Sequence, residues 1–185
     1  MTTLTFLLER AQTPLGHMLL ATDEEGRLRI LDWLDHEESM RRLMRRQYRG
    51  TTVLLRETTQ VSPAMRAMRA YFDGDLAAID RLEVATGGTP FQRAVWAALR
   101  TIPHGQTLSY LELAHRIGRP LAVRAVGMAN GANPISIVVP CHRVIGSNAT
   151  LTGYGGGLPR KRWLLAHEQA LAAAAHRHQP MLPGF

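Results

Sequence analysis

The chain divides between residues 84 and 90, and this division limits it to two differently built halves. Upstream, Thr3 to Leu8, His17 to Thr22 and Leu28 to Leu34 are short runs of strand character. Pro14-Leu15-Gly16 and Asp23 to Gly26 supply turn chemistry between them. His36 to Tyr48 then has helical spacing, with Met40, Leu43, Met44 and Gln47 on one side and Arg41, Arg42, Arg45, Arg46 and Arg49 on the other. Ser62-Pro63 starts a second helix, which the spacing of Met65, Met68 and Tyr71 carries to Gly74. This half has no cysteine and no tight His/Asp/Glu cluster, so its aromatics and methionines read as core rather than site. Glu83 to Gly88 reads as a linker. The expected division is 1–84, 85–170 and a tail over 171–185.

A hydrophobic fraction of 45% on 185 residues is enough for a packed core without metal or disulfide staples. The single cysteine, Cys141, excludes a disulfide framework and a multi-cysteine zinc module. No apolar run approaches the ~20 residues a membrane span requires. The first ten residues lack a basic stretch and a small-residue cleavage site, so the expected location is a reducing cytoplasm. Basic residues outnumber acidic ones, 22 to 15, giving a net charge of +7. All but Lys161 are arginine, whose flat, forked guanidinium suits phosphates and stacked bases. Charge alone leaves two readings equally open: a nucleic-acid partner, or solvated arginines.

Thr89-Pro90-Phe91-Gln92 opens the second half with an N-cap, a proline at the first helical position and a capping-box glutamine. Phe91, Val95, Trp96 and Leu99 form the apolar stripe that follows. Tyr110 to Ile117, the turn Gly118-Arg119-Pro120 and Leu121 to Asn130 then have helix-turn-helix character. On the second of these helices Arg124, Gly127 and Gly131 share a face. A face this bare can enter a minor groove about 6 Å wide, where bulk would clash. Gly127 could equally serve close packing of two helices. Ile135 to Val139 reads as a short buried strand between Pro134 and Pro140, and Cys141-His142-Arg143 follows it. A cysteine in such a place is commonly an inert small hydrophobe. The adjacent His142 and Arg143 favour a thiolate, and with it a pKa falling from ~8.5 toward neutrality. The glycines of Gly153-Tyr154-Gly155-Gly156-Gly157 permit close approach to a flat ligand.

Asn133-Pro134 through Pro140-Cys141-His142-Arg143-Val144 resembles the active-site signature of O6-alkylguanine-DNA alkyltransferases. The likeness extends to Gly88-Thr89-Pro90-Phe91-Gln92, Ser109-Tyr110, Arg124-Ala125-Val126-Gly127, Thr152-Gly153-Tyr154 and the stretch from Trp163 to Glu168. It covers the second half closely and the first half in outline, and is nearest to the stand-alone bacterial form. It implies an α/β first domain of ribonuclease H-like outline, a small antiparallel sheet with helices. It implies a mostly helical, winged-helix-like second domain. Some relatives hold zinc in the first domain through cysteine and histidine. The missing cysteine predicts no such metal here, and no cofactor is implied.

The resemblance also assigns roles. Cys141 accepts the alkyl group, His142 takes its proton through a water, and Glu168 orients the imidazole. Tyr110 crowds the flanking phosphate and donates to guanine N3, while Asn133 braces the turn. Arg124 fills the gap left by the flipped base, and Gly127 and Gly131 give the bare DNA-facing surface. Carbonyls of Cys141 and Val144 accept from the guanine amino group, Tyr154 walls the pocket and the Gly155 amide donates to O6. The implied partners are double-stranded DNA through its minor groove and an alkylated guanine base, met by a monomer; cooperative loading stays open. Activity on O4-alkylthymine also stays open. Gly155 and Ser136 depart from some relatives, which carry serine and proline there, so pocket width can differ. His142 could instead be hydrogen-bonded scaffolding, and Glu168 a helix-face carboxylate. Two other functions remain to be separated by experiment: a non-catalytic sensor or regulator on DNA, whose known examples lack the cysteine, and a cysteine hydrolase.

Overall fold

In the computed structural model, which describes residues 2–170, those residues form one four-stranded sheet, six α-helices and a two-stranded ladder. Strand β1 (Thr2–Thr13) turns through Pro14-Leu15 into β2 (Gly16–Thr22), and β2 pairs antiparallel with β3 (Leu28–Trp33). Helix α1 (Glu37–Gln47) then crosses the sheet and delivers β4 (Thr51–Glu57) to the free edge of β1. There β4 runs parallel to β1, from Thr2↔Thr51 to Leu8↔Glu57. The sheet is therefore mixed, in the order β3-β2-β1-β4, and not the antiparallel sheet expected. The physical reason is the crossover: a helix between two strands returns the chain in the same direction, which a hairpin cannot do.

Alternation along the strands divides the core. Phe6, Leu8, Leu19, Ala21 and Ile30 meet Met40 and Met44 of α1 on one face. Met18, Leu20, Leu31 and Trp33 face the other way, into a cluster containing Met65, Met68 and Tyr71 of α2 (Pro63–Phe72). The same cluster takes in Trp96, Val126, Val139 and Leu164 from the second half. Residues 83–88 lie along this structure through bonds from Leu28 N–H to Glu83 O and from Ala85 N–H to Leu28 O.

The expected capping box forms at Thr89, and a second forms at Ser109. Thr89 opens α3 (Pro90–Leu99), and Ser109 opens α4 (Tyr110–Arg116) with Glu112 as its partner. Helix α5 is Val123–Gly131, β5 (Leu108–Ser109) pairs with β6 (Val144–Ile145), and α6 is Leu158–His167. Among the described residues no helix is long and apolar enough to cross a membrane. Residues 171–185, read as a tail, lie outside the described residues.

The run Ile135 to Val139 is buried as expected, but it is not a strand. Ile135 makes a single bridge to Leu31, with Leu31 N–H donating to Pro134 O and Ser136 N–H to Leu31 O. The chain then winds on itself: Val139 N–H returns to Ile135 O, and Ile137 sits at φ 70°. Pro134 and Pro140 carry no N–H for a ladder, so a compact turn satisfies this backbone instead.

Gly88 has φ +84°, and a Cβ there would lie 2.8 Å from both Trp96 Cη2 and Gln92 Oε1. Gly88→Ala therefore combines a left-handed backbone penalty with overpacking of a buried indole. We expect a loss of roughly 2–5 kcal/mol, measured by urea denaturation.

Candidate active site

Cys141 opens a single 3-10 turn, Cys141–Arg143, at the end of the wound segment. Asn133, just after α5, fixes that segment from within. Its Nδ2 donates to Val139 O at 2.7 Å and to Cys141 Sγ at 3.1 Å, while its Oδ1 accepts from Ile135 N–H at 2.9 Å. Cys141 is 6% exposed and lines a cavity of about 400 Å³ with Asn133, Ser136, Gly131, Gly155 and Asp32.

Beneath the cysteine, His142 is fully buried and its Nε2 lies 3.0 Å from Glu168 Oε1. Glu168, the residue that ends α6, is the most heavily bonded group in the site. Arg143 donates from Nε to Oε2 and from Nη2 to Oε1, each at 2.8 Å, and Tyr71 Oη donates to Oε1 at 2.7 Å. Burial alone would raise this carboxyl. The Arg143 guanidinium and the hydrogen bonds from Arg143 and His142 outweigh it and hold the group well below the carboxylate range, so it is anionic. An anionic Glu168 requires a proton on His142 Nε2, which leaves Nδ1 an acceptor. Nδ1 has no hydrogen-bond partner among the described residues. Burial lowers the His142 pKa despite Glu168, so the ring is neutral at rest.

The thiol does not follow the sequence reading. Burial pushes Cys141 up to about 11, against the Asn133 hydrogen bond and the Lys161 charge. Arg143, expected to favour the thiolate, is committed elsewhere: to Glu168, to Ile102 O and to His104 Nδ1 at 2.7 Å. Cys141 is thus a protonated nucleophile beside a neutral base, not a resting thiolate.

The remaining site residues surround this centre. Tyr110 begins α4; its ring faces Gly127 of α5 and its hydroxyl donates to Thr152 O at 3.4 Å. Arg124 and Gly131 are exposed on α5, and an added Cβ at Gly131 would meet nothing. Arg124 is not bonded to the cysteine or its neighbours. Val144 O already accepts from Lys161 Nζ at 2.5 Å, and Cys141 O from Val144 N–H, so each keeps one further lone pair. The Tyr154 hydroxyl is buried beside Ser136 and Trp33. A Cβ on Gly156 would lie 2.6 Å from the Tyr154 ring and 2.7 Å from Trp33 Nε1, so the glycine keeps that wall in place.

Three contributors escaped the sequence reading. Tyr71 and Asp32 come from the half that had shown no chemistry, and Asp32 is pushed up to about 6 by burial beside the cavity. Lys161, buried, donates to the carbonyls of Val144, Thr152 and Gly153 and so ties the glycine loop to the cysteine turn. Its status as the sole lysine was the only available signal.

Residues 90–170 match the family model described as "6-O-methylguanine DNA methyltransferase, DNA binding domain". Over 165 residues the chain is 54% identical to the methylated-DNA–protein-cysteine methyltransferase of Salmonella typhimurium, covering 89% of this chain and 96% of that protein. This chain belongs to the methylated-DNA–protein-cysteine methyltransferase family. Its structure is also similar to that of Mycobacterium tuberculosis OGT solved in complex with DNA, with a TM-score of 0.67 and 39% identity over 90% of this chain and 94% of the other. The O6-methylguanine-DNA methyltransferase of Pyrococcus kodakaraensis shares the fold at 21% identity, with a TM-score of 0.64 over 88% of this chain and 98% of the other. In family terms, the cysteine turn, Asn133 and the His142–Glu168 pair form one connected unit, and the α5 face stands apart from it.

A thiol raised to about 11 makes a direct pH prediction. Alkylation of Cys141 by iodoacetamide in the free protein should rise about tenfold per pH unit from 8 to 10, because only the thiolate reacts. Mass spectrometry of timed samples should show no plateau near 8.5.

Proposed function

We propose that this chain repairs DNA by moving an alkyl group from guanine O6 to Cys141 once per protein molecule. The observation that carries this reading is the sulfur at the cavity wall with a neutral, carboxylate-oriented histidine behind it. Sγ attacks the alkyl carbon, the S–C bond forms and the C–O6 bond breaks. The thiol proton passes to His142 Nδ1 through a water, and Glu168 stabilises the imidazolium. Tyr110 donates to guanine N3 as charge builds on the departing base, and the Gly155 amide donates to O6. The second lone pairs of Cys141 O and Val144 O receive the guanine amino group, and Tyr154 walls the pocket. The product is a thioether that water does not cleave, so the protein is consumed.

The base must leave the duplex to reach the cavity. We assign that step to α5: Gly127 and Gly131 let the helix approach the minor groove, and Arg124 takes the place of the flipped base. A monomer suffices for this chemistry. The first domain, 1–84, is read as a ribonuclease H-like support, and 85–170 as a winged-helix-like reader. A reducing cytoplasm fits a nucleophile that oxidation would disable.

Incubation with O6-benzylguanine should add a single benzyl group, read as intact mass, and Cys141→Ser should add none while keeping DNA affinity. No adduct on the native protein would favour a non-catalytic DNA sensor; turnover without an adduct would favour a hydrolase.

Arg124→Ala should slow repair of O6-methylguanine in a duplex at least tenfold and leave the reaction with free O6-benzylguanine near the native rate. Flipping the base out burdens only the duplex reaction, and it costs a few kcal/mol. Single-turnover rates on both substrates check this; equal losses would move Arg124 from base extrusion into chemistry or folding.

A further inference from the structure

The cavity at Cys141 continues along the seam between α1 and α5. Asp32, Cys141 and Gly155 stand at one end, and Arg42, Arg46, Met128 and Gly131 border it further along. A second, adjoining cavity of about 710 Å³ carries the seam past Arg46, Arg49, Met128 and Ala132 to Phe91 and Gln92. Its floor is closed by Gln47 Nε2 donating to Ala132 O at 2.8 Å and by Gly88 N–H donating to Gln47 O. One bank is α5, with Met128 78% exposed beside Arg124 and Gly131. The other bank is the arginine side of α1.

Arg42 and Arg46 fall at i and i+4 on one face of α1, Arg49 follows in the turn just after the helix, and all three are exposed along the seam. Among the described residues none of them is paired with a carboxylate; Arg42 bonds only the Ser39 hydroxyl. Arg41, by contrast, is held by Glu37 and turns away from the seam with Arg45. Residues 171–185 contain no acidic side chain that could neutralise the stripe. Unpaired, forked cations repeated along the rim of a groove fit phosphates spaced along a strand.

We propose that α1 and the turn after it form a second DNA-contacting element, in which Arg42, Arg46 and Arg49 hold the phosphates flanking the flipped nucleotide against α5. This rests on the alkyl-transfer reading for the identity of the nucleotide, but the phosphate contact can be measured without any chemistry. The first half then does more than support the second: it forms one wall of the path by which the strand reaches Cys141.

A matched-charge comparison tests this. Arg42→Gln/Arg46→Gln and Arg41→Gln/Arg45→Gln each remove two charges from the same exposed helix, and circular dichroism confirms that both fold. Each is titrated with salt on an undamaged duplex, and each is timed on O6-methylguanine duplex and on free O6-benzylguanine. The Arg42/Arg46 pair should lower the slope of log K against log salt by about 1.8, at roughly 0.9 per phosphate contact. It should also slow duplex repair at least fivefold more than it slows the free-base reaction. The Arg41/Arg45 pair should leave the slope within about 0.5 of the native value. Equal slope changes in the two pairs would reduce the effect to net charge and overturn the proposal. So would equal losses on duplex and free base, which would place Arg42 and Arg46 in the pocket alone. If the native protein took up no alkyl group from either substrate, the alkyl-transfer reading would fail, while the slopes would still decide whether α1 holds DNA.

Discussion

The carboxylate of Glu168 is buried among Tyr71, His142 and Arg143, and their donors replace the water it has lost. Those donors come from distant parts of the chain: Tyr71 from α2, and His142 and Arg143 from the cysteine turn. The acceptor stands at the end of α6. One anion therefore holds the first-half helix, the nucleophile's turn and the last helix in register. Losing Arg143 would leave the buried carboxylate without its countercharge, which costs more than the pair itself contributes. The same bonds fix the histidine tautomer, so packing and proton chemistry depend on a single group.

Burial also sets the resting state of the nucleophile. With a thiol near 11, on the order of one molecule in ten thousand carries a thiolate at neutral pH. A protein consumed by its own reaction is served by such reserve, since stray electrophiles and oxidants act on the thiolate.

Much of this was legible in the sequence because it depends on near neighbours. Thr89 with Gln92 and Ser109 with Glu112 fix two helix starts from residues three apart, and Cys141 and His142 are adjacent. What escaped depends on distant pairing. Strand β4 is half exposed and reads weakly by itself; it becomes a strand because β1 offers a parallel edge. The β-branched run Ile135 to Val139 has the composition of a strand, but β3 offers it only one bridging residue, so it winds up. Tyr71 looked like a core aromatic, and Lys161 stood out only as the sole lysine. The thiol's acidity was misjudged because adjacency to Arg143 does not reveal where a guanidinium points.

Lys161 is the only lysine in the sequence, and it has no solvent-exposed surface. Its ammonium is enclosed by three carbonyls, and burial brings it down to about 8. Apart from the histidines, every other basic side chain is a guanidinium, inert toward the acylating reagents that modify amines. A lysine-specific protease has one bond to cut, and it reaches that bond only when the cysteine turn and glycine loop separate. Native samples should thus persist under such digestion, and the appearance of two fragments becomes a clock for opening of the site itself.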